Sequence, residues 1–426
     1  MLKKYDEMTK EELLGEQRQL QAAFDAYKAK GLKLNMARGK PGSEQLALSM
    51  PMLDVLNASS DCKAEDGVDC RNYGELSGIV DAKKLFGELM GASEEEILIS
   101  GSSSLSFMYD AMARAMLKGV LGSDKPWGAY PKIKFICPVP GYDRHFAICE
   151  FLGIEMISVP LYADGPDMDM IEKLVAEDET IKGMWSVPKY TNPMGSVYSD
   201  ETVRRLAKMN TAAKDFRIFW DNAYALHHVY KDIQLLSLLD ECKKAGNPNR
   251  VYMFGSTSKI TFPGSGVSYF VCSKENMDYN TKQLGMQAIG WDKMNMLRHV
   301  RFFKNAAGVK AHMDKHAAIL RSRFDAVIEA LDSELASRGV GSYVKPEGGY
   351  FVAYKAENGC AKKIVALCKD AGVVLTNAGA THPYGKDPED AYIRIAPSYP
   401  SPEELKSAME IFCVSARLAT VEKLIG

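Results

Sequence analysis

The stretch Val251-Tyr-Met-Phe-Gly-Ser-Thr-Ser-Lys259-Ile-Thr-Phe-Pro-Gly-Ser-Gly266 sets how the remainder of the chain is interpreted. Its first four residues are apolar and strand-forming. Gly255, Ser256, Thr257 and Ser258 follow, and then Lys259. A lysine just past the end of a buried strand is partly withdrawn from water, and desolvation lowers the pKa of an ammonium. Such a lysine can serve as an imine-forming amine. The hydroxyls before it suit an anion such as a phosphate. Taken alone, a lysine after a strand is more often a solvated end, so the flanking sequence has to carry the argument.

Outward from this stretch, strands and helices alternate regularly. Arg217-Ile-Phe-Trp220 reads as a strand ending on Asp221-Asn-Ala-Tyr224, and Gly183-Met-Trp-Ser-Val187 as one leading to Asn192-Pro-Met-Gly195. Ile133-Lys-Phe-Ile-Cys137 runs into Pro138-Val-Pro-Gly141-Tyr142. Glu96-Ile-Leu-Ile99 runs into Ser100-Gly-Ser-Ser-Ser104 at the start of a helix. Strand, small hydroxyl residues, then helix aims backbone N–H groups at an anion; without G-x-x-x-x-G-K-[ST] it is not a nucleotide P-loop. Polar groups thus recur at the carboxyl ends of successive apolar strands, where open, mostly parallel sheets bind ligands.

The chain ends read differently. Residues 9–30 form an amphipathic helix opened by the capping box Thr9-Lys-Glu-Glu12, and Asn35-Met-Ala-Arg38-Gly39-Lys40-Pro41-Gly42 is a loop. Beyond Trp291 the pattern is helical for some forty residues, with a break expected at Gly308. Strands at Tyr343-Val344, 349–353, 373–375 and 391–395 and a helix capped by Ser401 build a smaller α+β unit. The expected architecture is α/β: a large doubly wound, mixed but mostly parallel sheet domain over 50–305, and a small α+β domain formed by both ends, 1–49 and 306–426.

Hydrophobic content of 46% and charged content of 25% over 426 residues suit a globular protein with a sizeable core. A net charge of −2 gives no basic surplus for nucleic acid and no polybasic membrane patch. The polar start Met1-Leu-Lys-Lys-Tyr-Asp-Glu and the lack of any spanning apolar run point to a cytoplasmic protein with neither nucleic-acid nor membrane partners. Nine scattered cysteines without C-x-x-C read as reduced, buried residues. His312 and His316 have a spacing compatible with a metal, but without H-E-x-x-H they read as a solvated helix face, and no metal is expected.

In order and spacing, Asn192-Pro-Met-Gly195, Asp221-Asn-Ala-Tyr224 and Ser256-Thr-Ser258-Lys259 resemble the N-P-x-G, D-x-x-Y and S-x-S-K motifs of fold-type I pyridoxal-phosphate enzymes. Among these the chain looks like a class I aminotransferase, and its wording is similar to a divergent bacterial branch of aspartate aminotransferases (MocR-like aminotransferases). The resemblance covers nearly the whole chain. It implies pyridoxal 5'-phosphate as cofactor and a ping-pong transfer of an amino group between an L-amino acid, aspartate or glutamate favoured, and a 2-oxo acid such as 2-oxoglutarate or oxaloacetate. It implies that Lys259 forms the imine and shuttles the proton, and that Asp221 pairs with the pyridinium nitrogen. Asn192 and Tyr224 would bond the ring O3', Tyr142 would stack on the ring, and Ser102, Ser103, Ser256 and Ser258 would hold the phosphate. Tyr73 would enter a neighbouring subunit's phosphate site, which implies a homodimer with shared active sites. Arg394 would clamp the α-carboxylate and Gly39 would admit its close approach.

One position departs from that pattern. Seven residues after the lysine the family commonly carries a phosphate-binding arginine; here Gly266 stands there. Arg38, Arg144 and Lys189 are the candidate replacements. Arg38 and Arg144 are also candidates for the distal carboxylate of a dicarboxylic substrate. A β-lyase or decarboxylase of the same fold stays open. A non-catalytic ligand-sensing module is disfavoured, because no basic DNA-binding domain precedes residue 30.

Overall fold

The structure, a computed structural model, describes residues 3–426; Met1 and Leu2, the start of the polar N-terminal stretch, lie outside the described residues. Eight strands form one sheet, in the order Ile97–Ser100, Ser268–Val271, Val251–Ser256, Arg217–Asp221, Ile181–Ser186, Lys134–Val139, Glu155–Tyr162 and Gly165–Pro166. The five from Val251–Ser256 to Glu155–Tyr162 are parallel. Ser268–Val271 runs antiparallel to both its neighbours, and Gly165–Pro166 to its one. The sheet is therefore mixed and mostly parallel, as expected.

Its central strands are buried along their whole lengths. Ile218, Trp220 and Met253 pack into one apolar cluster, while Phe219, Tyr252 and Phe254 pack into another. Both faces are covered, which is why these strands read as continuous apolar runs and not as alternating ones. Side chains at their carboxyl ends have no apolar layer to enter and collect in a cleft.

A third cluster joins the two chain ends. Leu13, Leu20 and Phe24 of the helix Lys10–Ala29 pack with Ile411, Phe412 and Val421 of the helix Pro402–Ile425. Both helices start at capping boxes: Thr9 Oγ1 accepts from the Glu12 N–H at 3.3 Å and Ser401 Oγ from that of Glu404 at 3.2 Å. Each such cap stabilises its helix by ~1 kcal/mol. Beside them lies an antiparallel sheet of Ser342–Tyr343, Val352–Lys355 and Tyr392–Ile395. Val373–Val374 does not join it; it pairs in parallel with Leu34–Asn35, at the start of the stretch from Asn35 expected to be only a loop.

The helical region also breaks earlier than Gly308. The helix Lys293–Phe303 ends at Lys304 (φ 67°), and Ala306–Glu334 begins with Asn305 as its cap. Gly308 sits inside the new helix, where a Cβ would lie 1.9 Å from the Phe303 carbonyl oxygen. The glycine permits the close join and does not itself make the break. Val309 and Met313 of this long helix enter the large-sheet core, and Leu320 to Leu331 enter the terminal one. Among the described residues no helix is long and apolar enough to cross a membrane, and all nine cysteines are free, eight of them buried.

Candidate active site

Two adjoining cavities lie at the carboxyl ends of the parallel strands. The inner one, of about 110 Å³, is lined by Ser103, Ser104, Ser256, Ser258, Asp221 and Lys259, among others. The outer one, of about 480 Å³, is lined by Arg38, Gly39, Lys40, Arg144, Thr376 and Arg394 on its rim. Tyr142, Asn192, Tyr224 and Lys259 line both.

Lys259 follows the strand Val251–Ser256 and is half-buried, its Nζ 5.0 Å from the centre of the Tyr224 ring. Burial lowers its pKa, and the Asp221 charge works in the opposite direction. The ammonium thus gives up its proton more readily than that of an exposed lysine. Its backbone carbonyl accepts from the Tyr350 hydroxyl at 3.3 Å. Tyr224, at 3% exposure, has its hydroxyl pKa pushed well up, chiefly by burial and then by the nearby Tyr142 and Asp221.

Asp221 ends its strand at 3% exposure. His145 Nε2 lies 3.1 Å from Oδ2, and the imidazole stacks on Trp185 at 4.2 Å between ring centres. Oδ1 is buried with no hydrogen-bond partner among the described residues. An unsatisfied buried acceptor costs ~1–3 kcal/mol, a cost that a ligand with an N–H in the inner cavity would remove.

The hydroxyl residues form a chain. Ser256 Oγ donates to Ser258 Oγ at 3.0 Å, and Ser258 Oγ to the Ser102 carbonyl at 3.0 Å. Ser103 is the N-cap of the helix Ser104–Lys118, whose first-turn N–H groups face the same cavity. A Cβ on Gly266 would lie 3.0 Å from Thr257 Oγ1 and 3.2 Å from the Ser102 carbonyl, so this corner is already filled. Lys189 is not a replacement for the missing arginine, because its Nζ pairs with Asp232 at 2.8 Å. Arg38 and Arg144 line the outer cavity and not the inner one.

Arg394, on the strand Tyr392–Ile395, is 8% exposed. Its Nη1 donates to Asn192 Oδ1 at 3.2 Å and Asp143 Oδ1 at 3.1 Å, and its Nη2 to Thr376 Oγ1 at 3.0 Å. Phe351 lies 4.9 Å beneath the guanidinium. Gly39 is glycine for a reason beyond ligand approach: a Cβ there would sit 2.4 Å from the Phe351 ring.

One expected site residue is apart from the rest. Tyr73 is 84% exposed, on a loop whose Asn72 and Gly74 carbonyls accept from the buried Lys293 ammonium at 2.6 and 2.9 Å.

The solvated face expected for His312 and His316 is also corrected: they are 6% and 0% exposed. His312 Nε2 lies 2.9 Å from the Ile260 carbonyl and 3.0 Å from His316 Nε2. His316 Nδ1 is 3.0 Å from the Gln45 amide, which reaches the Tyr350 hydroxyl. A helical period tells which residues share a face, not what docks on that face. No group of three or more metal-ligating side chains occurs among the described residues.

Sequence reasoning missed His145, Asp143 and Thr376. The first two follow Tyr142 directly in the first turn of the helix Asp143–Phe151, and that adjacency was the available signal.

A family model described as aspartate amino-transferase matches residues 8–426. An aspartate aminotransferase of Corynebacterium glutamicum is 46% identical over 400 residues, 94% of this chain and 92% of its own. The crystal structure of an aspartate transaminase from C. glutamicum superposes with a TM-score of 0.96 at 44% identity, covering 99% of each chain. The α-aminoadipate aminotransferase of Thermus thermophilus, complexed with N-(5'-phosphopyridoxyl)-L-leucine, shares the fold at 20% identity, with a TM-score of 0.73 over 98% of this chain and 99% of that one.

Proposed function

The chain belongs to the aspartate amino-transferase family and is a pyridoxal-phosphate-dependent aminotransferase; from that premise we propose that aspartate or glutamate is its amino donor and oxaloacetate or 2-oxoglutarate its acceptor. The observation that carries the site assignment is the unpartnered Asp221 Oδ1 in the same cavity as Lys259 and the hydroxyl chain. A ring N–H, a reactive carbonyl and a phosphate fit those groups respectively.

When bound, the cofactor supplies an electrophilic carbon and an electron-accepting ring. Asp221 would hold the ring N–H, and His145 would fix the carboxylate that does so. Lys259 Nζ, its pKa lowered by burial, would be the attachment point and would move the proton at the substrate's Cα. Asn192 and Tyr224 would bond the ring oxygen, Tyr142 would cover the ring face, and Ser102, Ser103, Ser256 and Ser258 would hold the phosphate without a guanidinium at position 266. Arg394 would take the α-carboxylate, beside Gly39 on the cavity rim. Arg38 and Arg144, whose side chains make no hydrogen bond or ion pair among the described residues, line the same cavity and would meet a second carboxylate. This favours dicarboxylic substrates.

The exposed Tyr73 on its lysine-clamped loop supports a homodimer in which each chain completes its neighbour's phosphate site. The two apolar clusters that flank the sheet and the third at the chain ends support a large sheet domain and a smaller one made from both chain ends. A cytoplasmic location agrees with the composition.

Borohydride treatment of the purified protein tests the assignment. A yellow protein should bleach, with the label on Lys259; one that stays colourless with added pyridoxal phosphate overturns it. Nitrogen from labelled aspartate should appear in glutamate, whereas release of ammonia or CO2 would indicate a lyase or decarboxylase.

A further inference from the structure

We propose that Asp143 is a resident carboxylate for Arg394, which every substrate must displace or bind against. The inference rests on Arg394 being the substrate's carboxylate ligand. Nη1 of that guanidinium is engaged by both Asp143 and Asn192, and Nη2 by Thr376. Nε is buried and has no partner among the described residues. A planar guanidinium binds a carboxylate through two N–H groups on one edge. Nε offers no open approach, so an incoming carboxylate must use the Nη groups, and Asp143 Oδ1 already accepts from one of them at 3.1 Å.

Asp143 is suited to yield that place. Its side chain is 36% exposed against 8% for Arg394, and Arg394 is that side chain's sole hydrogen-bond partner among the described residues. It lies in the first turn of the helix Asp143–Phe151, where the helix dipole favours a carboxylate that has let go. Among the described residues it is also the one carboxylate lining the outer cavity, which it shares with Arg38, Lys40, Arg144 and Arg394. An almost fully buried guanidinium left bare in the empty protein would be costly. Asp143 removes that cost before substrate arrives and competes with the substrate afterwards. It therefore weakens ground-state binding of amino acid and 2-oxo acid alike and works against saturation at low substrate.

The test is calorimetric binding of maleate, a dicarboxylate with no group to transfer, to cofactor-loaded D143N, D143S, R394A and D143N/R394A. Maleate should bind D143N and D143S about five- to ten-fold tighter than the parent, as expected for loss of a competing half-exposed ion pair. KM should fall for both the amino acid and the 2-oxo acid. In the R394A background D143N should add nothing. Unchanged or weaker maleate binding in both Asp143 variants, with R394A still strongly impaired, overturns the proposal. A rise in KM for the amino acid alone also overturns it, since Asp143 would then be receiving the substrate's ammonium group. Full maleate affinity in R394A would instead remove Arg394 from the substrate site.

Discussion

His145 Nε2 and Asp221 Oδ2 stand 3.1 Å apart, both side chains buried, and the second carboxylate oxygen, Oδ1, of this cavity-lining residue has no partner among the described residues. The stack of His145 on Trp185 fixes the imidazole from behind. The carboxylate is therefore held through Oδ2 and keeps Oδ1 uncommitted, as a single-point ligand for a ring N–H requires.

D221N keeps the size of the side chain and removes its charge. The ring nitrogen would lose the carboxylate that keeps it protonated, and kcat/KM should fall by about 100-fold or more, the scale of losing one preorganised electrostatic partner. Steady-state kinetics, together with the absorption spectrum to show that cofactor is retained, check this.

Lys259 gives a pH-dependent stability of known sign. Its folded-state pKa is lowered by burial, so between that value and the ordinary lysine value of 10.5 the unfolded chain binds more protons than the folded one. Stability of the cofactor-free protein should rise with pH through that window. K259M should be more stable than the parent near pH 7, and the difference should shrink as pH approaches 10.5. Thermal melts of both cofactor-free proteins across pH read this directly; a constant difference would contradict it.

The buried histidines act at the acid end. Burial holds His316 down to about 3 and His299 to about 4, against an ordinary 6.5. Both stay neutral in the fold and charge when it opens, so stability should decline as pH falls from about 6.5 toward 4. H316L removes one of these groups. It should cost ~1–3 kcal/mol at pH 7, because the Gln45 amide loses a partner, and it should flatten the acid slope of stability measured by urea melts.

Gly39→Ala places a methyl group 2.4 Å from the Phe351 ring, which in turn lies under Arg394. Overpacking of this kind costs ~1–3 kcal/mol. KM for both substrates should rise several-fold as the ring and the guanidinium above it shift, with cofactor content unchanged. Kinetics and the cofactor absorbance separate those two readouts.

Much of the fold could be read along the chain. Continuous apolar runs of strand length, each followed by small or polar residues and then a helical period, specify a doubly wound parallel sheet, because only strands covered on both faces lack alternation. The capping residues Thr9 and Ser401 were legible for the same local reason: their partners Glu12 and Glu404 lie three residues away. So were the residue types at or just past the strand ends: Asp221 closes Arg217–Asp221, and Asn192 and Lys259 follow Ile181–Ser186 and Val251–Ser256 along the chain.

What the linear order left open depended on partners far away in the chain. Arg394 meets Asp143 across 251 positions, and Gln45 meets His316 across 271. Lys189 is occupied by Asp232, which takes it out of the phosphate question. Gly39 is shaped by Phe351. Propensity, capping and periodicity act within a few residues and are written locally. Which face of a helix is buried, which cation is already neutralised and which acceptor is left unpaired follow from packing between distant segments, and those contacts exist only once the chain has closed on itself.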